Sequence, residues 1–244
     1  MTPEADPIFL ANYGFCPTCD APSRFVARQP YLRSHYRCER CHSVPRERAL
    51  MLCLERFFPR FREAVVHESS PSPRGASVKL AAQCKRYVAS QFFPDVPPGA
   101  EKNGVRCENL ERLGFGDAEI DLHVTQDVME HILDPDAAFR EIARTLRPGG
   151  AHVFTVPLVR RDKPSRARVL RRADGSLEHL LEPQYHGNPI DPNGSLVTTD
   201  WGYDICDRIF RTTGLVTKIV EIDDLEHGVR GEFSDVLITF KPAG

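Results

Sequence analysis

Apolar and polar positions along this chain follow two periods, one of about two residues and one of about 3.6. Short β-rich runs at 64–67, 86–89, 120–125 and 151–156 read as strands, and the third is apolar enough to be a buried central one. Between the last two runs, Ala138, Phe139, Ile142, Ala143 and Leu146 recur at helical spacing. Asp134 caps that helix, Pro135 opens it, and Arg147-Pro148-Gly149-Gly150 ends it, glycine supplying the left-handed turn back to a strand. Residues 203–213 read as a further helix. Residues 216–222 and 236–240 read as two closing strands, and a hairpin joining them makes an antiparallel edge. Strands that alternate with helices imply parallel pairing and right-handed crossovers, so the class is α/β with a doubly wound sheet. Upstream, Ser43-Val44-Pro45 starts a helix whose Ala49, Leu50, Cys53, Leu54, Phe57, Phe58 and Phe61 form one apolar stripe. That stripe predicts a connecting helix that docks whatever precedes it onto the α/β domain.

Length and composition narrow this picture. At 244 residues, 41% hydrophobic and 27% charged, the chain suits one large domain with an appendage and excludes disordered, collagen-like and coiled-coil classes. With 32 basic against 34 acidic side chains the net charge is −2, so no global field drives it onto nucleic acid or an anionic membrane. No run approaches the ~18 to 20 apolar residues of a membrane span, and the start at residues 1–6 is acidic, unlike a signal peptide. The expected compartment is the cytoplasm, where the eight cysteines point to metal binding or catalysis more than to disulfides.

Four of those cysteines form a pattern. Cys16-Pro17-Thr18-Cys19 and Cys38-Glu39-Arg40-Cys41 are two CxxC knuckles separated by eighteen residues. Two residues between thiolates let both sulfurs reach one ion at about 2.3 Å, and two knuckles close a tetrahedral shell, the arrangement of a structural zinc. A redox CxxC reading lacks a flanking thioredoxin-like strand and helix, and four reduced cysteines placed by coincidence is the bland alternative. Runs 24–27 and 35–37 between the knuckles predict two short strands stapled by the metal. Cys53, Cys84, Cys107 and Cys206, scattered singly, read as buried small hydrophobes. The module carries Arg24, Arg28, Arg33, Arg37, Arg40, Arg46 and Arg48, either solvated or facing RNA, a phosphorylated substrate or a partner protein. The predicted organisation is a zinc ribbon at 1–42, a connecting helix at 43–62 and an α/β domain at 63–244.

The run from Glu119 to Pro135, with Asp127-Val128-Met129-Glu130-His131 at its centre, resembles the fourth-strand signature of class I S-adenosylmethionine-dependent methyltransferases of the type 11-like group. The helix and Leu146-Arg147-Pro148-Gly149-Gly150 continue the match. The resemblance implies a seven-stranded, mostly parallel Rossmann-like sheet, S-adenosylmethionine as cofactor, and a methyltransferase activity. In an open parallel sheet the ligand lies beyond the carboxyl ends of the strands, where strand order reverses. That places Glu68, Ser69 and Ser70 against the methionine part, Ser90 and Gln91 at the ribose, and Glu108, Asn109 and Leu110 at the adenine. Thr125 and Gln126, at the end of the central strand, and His131 complete the cofactor wall. The chain departs from the family in its first motif. Glu68 is followed by Ser69-Ser70-Pro71, with glycine only at Gly75, and Gln91 and Asn109 stand where acids are usual.

A long insertion at 158–200 stands where this fold commonly builds an acceptor lid. Its basic run from Arg160 to Arg172 reads as a solvated charge run or as a site for a phosphate-bearing acceptor. His186, in the turn Tyr185-His186-Gly187-Asn188-Pro189, is the candidate general base because imidazole titrates near neutral pH; a surface or core histidine is the alternative. Tyr185 sits beside it, and Asp127 could reach cofactor or acceptor. Trp201 is expected to pack at the lid's edge. The leading expectation is methyl transfer to an oxygen or nitrogen of a small-molecule or sugar-linked metabolite. RNA methylation and a non-catalytic scaffold are the competing readings. The net charge and the lack of an aromatic RNA platform argue against nucleic acid.

Overall fold

The computed structural model describes residues 7–188 and 191–244; the acidic start and Pro189 of the histidine turn lie outside them. The cysteine module is a three-stranded antiparallel sheet of β1 (Leu10–Cys16), β2 (Ala21–Ala27) and β3 (Arg37–Cys38), in that order, with a short helix α1 (Leu32–His35). The strand expected at 35–37 is thus displaced. The Tyr36 amide donates to the Leu32 carbonyl and closes a helical turn, so only Arg37 and Cys38 pair with β2. Helix α2 (Pro45–Phe57) begins as predicted, its N-terminus closed by Glu47 accepting from the Val44 amide at 3.0 Å. It ends before Phe58; Phe61 instead opens a single 3-10 turn, yet still buries in the same core as Ala49, Leu50, Cys53 and Leu54.

The α/β domain follows as β4 (Val65–Ser69), α3 (Gly75–Gln83), β5 (Arg86–Gln91), β6 (Glu101–Lys102), β7 (Val105–Cys107), β8 (Ile120–Gln126), α4 (Pro135–Thr145) and β9 (Leu146–Thr155). The insertion then forms β10 (Arg166–Ala167), β11 (Val169–Arg171), β12 (Leu177–His179), β13 (Tyr185–His186), β14 (Ser195–Leu196) and β15 (Thr199–Asp200). Helix α5 (Ile205–Thr213), capped by Gly214 at φ 73°, leads to β16 (Val216–Val220) and β17 (Val236–Phe240). The main sheet has eight strands in the order β16-β17-β9-β8-β4-β5-β7-β6, one more than expected. The extra strand is the two-residue β6, which turns back antiparallel on β7 and gives the sequence no periodic signal. β4, β5, β7, β8 and β9 run parallel, and strand order reverses about β4. The lid folds as three small antiparallel pairs, β10 with β15, β11 with β12 and β13 with β14.

Three histidines lie inside the sheet. Thr145 Oγ1 donates to the Glu141 carbonyl, so it accepts from His123 Nε2 at 2.8 Å. His123 Nδ1 is then an acceptor, and His67 Nδ1 donates to it at 2.9 Å while His67 Nε2 accepts from Ser90 Oγ at 2.8 Å. Each ring carries one proton, and burial holds His67 at about 3 and His123 well below the ordinary histidine value. His152 stacks on Phe154 with ring centroids 4.2 Å apart and meets Thr125 Oγ1 at 3.0 Å; burial holds it at about 3.

The ribbon is clamped to this domain by buried cations. Arg48 of α2, fully buried, donates to the carbonyls of Ser43 and Tyr36 and to Gly228 in the loop before β17, and lies over the Phe25 ring at 4.7 Å. Lys79 of α3 reaches the Pro17 carbonyl at 2.7 Å and Asp20 at 2.6 Å in the first knuckle. At Gly14 an added Cβ would stand 1.8 Å from the Glu226 carbonyl, and at Gly228, with φ 66°, 2.6 Å from Phe25. Both glycines are required by the closeness of the two units. No helix among the described residues is long and apolar enough to cross a membrane.

Candidate functional site

A cleft of about 1190 Å³ opens beyond the carboxyl ends of β4, β5 and β8, where strand order reverses. It exceeds the ~300 to 1,000 Å³ usual for a site holding one drug-sized ligand. Its walls come from three sources: the strand ends, the lid, and Tyr31, Arg33, Ser34 and Arg46 of the cysteine module and α2.

Of the residues predicted to hold the cofactor, Ser69, Ser70, Gln91, Glu108, Asn109, Leu110, Gln126 and His131 line this cleft. Ser69 ends β4 rather than starting the loop, and Ser70 makes the bend itself at φ 56°, donating its amide to the Ser90 carbonyl. A left-handed serine costs roughly 1 to 2 kcal/mol more than glycine, and it keeps the turn without the usual glycine. Glu68, Ser90 and Thr125 do not reach the cleft. Glu68 is fully buried and accepts from Ser77 Oγ at 2.6 Å, Tyr87 Oη at 2.7 Å and Gln126 Nε2 at 2.8 Å; burial raises its carboxyl despite these donors. Ser90 and Thr125 face the buried histidines, because alternate strand residues point to opposite faces. Glu108 lines the wall with both oxygens engaged, by Arg106 Nε and by the Gly114 amide, each at 2.7 Å. Gln126 holds Glu68 and Ser77 through its nitrogen, and its buried Oε1 has no protein partner.

Asp127 sits just past β8 at φ 52°, its amide donating to the Thr155 carbonyl. Arg33 Nη2 lies 2.7 Å from both its oxygens, Arg46 Nε lies 2.7 Å from Oδ2, and Thr155 Oγ1 donates to Oδ1 at 3.0 Å. Burial alone would raise this carboxyl, but Arg46 and Arg33 hold it down at about 2. Asp127 is therefore a fixed anion that ties the ribbon to the cleft rather than a free base.

Beside it, Glu130 is 2% exposed and neither of its carboxylate oxygens has a hydrogen-bond partner. Burial, then the neighbouring Asp127, pushes its carboxyl well above the usual range. Glu130 Oε1 lies 3.9 Å from His131 Nε2 and 3.7 Å from His186 Nδ1, and the two rings meet edge to face at 5.1 Å. The lid is anchored here: the Thr198 amide donates to the Glu130 carbonyl at 2.7 Å, and His131 Nδ1 bonds the Leu196 carbonyl at 2.8 Å. His186, on β13, is thereby brought against Glu130. Tyr185, its neighbour on the strand, points outward at 55% exposure and does not line the cleft.

The basic run of the lid is largely engaged by the protein's own acids. Arg166 and Arg168 pair with Asp200, Arg171 with Glu111 and Arg172 with Glu178. Trp201 is wholly buried against Phe139, deeper than a lid edge. Cys53, Cys84 and Cys107 are buried as expected, whereas Cys206 is only half-buried. In the ribbon, Cys16, Cys19, Cys38 and Cys41 come together, with Sγ pairs 3.7 Å (Cys16, Cys41) and 4.0 Å (Cys19, Cys38) apart. Four sulfurs about 2.3 Å from one ion stand about 3.8 Å apart at tetrahedral angles, so the set fits a zinc ion.

The residues missed by the sequence reading are Arg33 and Arg46 at the cleft and Glu130 as an unpartnered carboxylate. The arginines stand out only as ribbon charge, and nothing in spacing ties them to Asp127. Glu130 stands beside His131 in the sequence, but its isolation is a product of the tertiary packing.

Residues 74–154 match the family model described as a methyltransferase domain. No curated protein sequence matches the chain. Among solved structures, an S-adenosylmethionine-dependent methyltransferase from Mesorhizobium loti is similar at 15% identity and TM-score 0.51, over 79% of this chain and 97% of that one. The 1,6-didemethyltoxoflavin-N1-methyltransferase from Burkholderia thailandensis, solved with 1,6-didemethyltoxoflavin and S-adenosylhomocysteine, is similar at 17% identity and TM-score 0.50, over 81% and 78%. The likeness to these structures is one of fold, a mostly parallel α/β sheet. Residues 74–154 thus match a methyltransferase domain by sequence, the sheet around them has the fold of these structures, and a four-cysteine module is docked on it.

Proposed function

We propose that the protein transfers a methyl group from S-adenosylmethionine to an oxygen or nitrogen of a small-molecule acceptor, and that Cys16, Cys19, Cys38 and Cys41 hold a structural zinc. The observation that carries the reading is the buried Gln126 Oε1, an acceptor without a protein partner on a residue that lines a cleft large enough for a nucleoside cofactor and an acceptor together. A buried polar atom of this kind calls for a donor, and the ammonium of the cofactor's methionine part supplies one. Ser69 and Ser70 offer the bend beneath it, and Gln91 at the end of β5 offers an amide to the ribose. Bound there, the cofactor supplies an electrophilic sulfonium methyl group. The acceptor enters on the lid side, and its proton leaves toward the corner of Glu130, His131 and His186, where His186 is the partly exposed member. Arg33 and Arg46 keep Asp127 ionised and fixed, so the wall between the two ligands stays rigid.

A small acceptor suits the site better than a polyanion, because the lid arginines are matched by Asp200, Glu111 and Glu178. The Burkholderia relative, crystallised with a small heterocycle and S-adenosylhomocysteine, supports the same choice. Calorimetric titration with S-adenosylhomocysteine tests the proposal. Wild type should bind, and Gln126→Ala should bind about tenfold more weakly, the loss expected for one buried hydrogen bond. Absence of binding at millimolar ligand would overturn it in favour of a non-catalytic scaffold.

A further inference from the structure

Glu130 poses a problem that methyl transfer by itself does not solve. A carboxylate at 2% exposure with no donor on either oxygen is a costly arrangement, and such groups in folded proteins generally have a partner. The nearest cations, Arg33 and Arg46, form their ion pairs with Asp127, and neither donates a hydrogen bond to Glu130. What faces Glu130 is a pair of imidazoles. The Leu196 carbonyl can only accept, so His131 carries its proton on Nδ1 and presents the bare Nε2 lone pair toward the carboxylate. Second-ligand carbonyls orient metal-binding histidines in this way. His186 presents Nδ1 from the other side.

We propose that Glu130, His131 and His186 bind a divalent transition cation at the acceptor end of the cleft. The nearest atoms of the three side chains lie within 4.8 Å of one another, and the Glu130 Oε1 distances of 3.9 and 3.7 Å fall inside the ~4.2 Å that two ligands at about 2.1 Å from one ion can span. One carboxylate and two neutral imidazoles form a donor set for zinc, iron, cobalt or manganese rather than for calcium. Three protein ligands leave coordination positions open, and the cleft lies on that side, since all three residues line it. This deepens the methyl-transfer reading and rests on it for its purpose. The cation would take over from His186 the task of holding and acidifying the acceptor, and it selects acceptors that present an oxygen donor such as a hydroxyl or phenol. The site is separate from the cysteine cluster, whose four thiolates form a closed shell of softer ligands.

The test is Mn²⁺ titration of the full-length chain carrying one zinc ion per molecule, enough for the four thiolates alone, followed by the electron paramagnetic resonance signal of free Mn²⁺, with S-adenosylhomocysteine binding measured on the same samples. Wild type should bind one Mn²⁺ per chain, and Glu130→Gln and His186→Ala should each weaken it at least tenfold while still binding S-adenosylhomocysteine. Retained nucleoside binding shows that the variants are folded; should Glu130→Gln fail this check, the more exposed His186→Ala decides. No Mn²⁺ bound by wild type at millimolar concentration overturns the cation site, as does equal binding by wild type and a folded variant. In that case Glu130 is a buried protonated acid. Nucleoside binding without metal leaves methyl transfer standing alone, and metal without nucleoside does the reverse.

Discussion

The histidines of this protein fall into two regions that treat the same side chain in opposite ways. Inside the sheet, His67, His123 and His152 have neighbours matched to their nitrogens: Ser90, Thr145 and Thr125 hydroxyls and one another. In the cleft, His131 and His186 face a carboxylate that has no donor at all. In the first group His67 and His123 form a closed chain of hydrogen bonds that fixes their tautomers, and burial keeps all three rings neutral. The second is an open set, in which lone pairs and a charge converge on one point. An imidazole's role is thus set by whether its surroundings complete its bonding, not by burial alone: His131 is mostly buried, yet belongs to the open set.

The contrast can be broken most severely from the closed side. His123→Ala removes the middle link, leaves His67 Nδ1 without its acceptor and Thr145 Oγ1 without its donor, and opens a void beside Phe115, so it should cost about 3 to 5 kcal/mol in urea unfolding at pH 7.5. A cost under 1 kcal/mol would mean that the chain of bonds is decorative. Acid provides a second test. His152 is held at about 3 when folded and returns to about 6.5 when unfolded, so its neutral form is favourable to folding above 6.5, and stability is lost as the pH falls from there toward 3. Glu68, raised by burial, acts with the opposite sign, which makes a variant comparison cleaner than a single curve. Between pH 7.5 and 5, wild type should lose about 2 kcal/mol more than His152→Gln. The smallest effect belongs to the open side. His186→Ala and Tyr185→Phe, at the half-buried and exposed positions of β13, should each change unfolding stability by less than about 1 kcal/mol. A larger change would make β13 structural.

Much of the sheet could be read from the chain because its strands are short apolar runs and its central helix carries a cap, a proline and an apolar face. The four cysteines were equally legible, since a CxxC pair is a local pattern. The cleft was legible only to within one residue. Ser69, Gln91 and Gln126 face it while Glu68, Ser90 and Thr125 do not, and strand parity at the sheet's end depends on where the strand stops. The contacts of Arg33 with Asp127 and of Arg48 with Gly228 join residues far apart in sequence, and no periodicity encodes them. The orphaned Glu130 carboxylate follows from the way the lid backbone, through Thr198 and Leu196, settles over it.

The bond from Arg33 to Asp127 has a further consequence for what counts as the working unit. One rim of the opening belongs to the ribbon, so a fragment that starts at α2 would keep the eight strands and lose part of the enclosure. Dissecting the chain at its apparent domain border would therefore yield two pieces, neither of which owns the whole chamber.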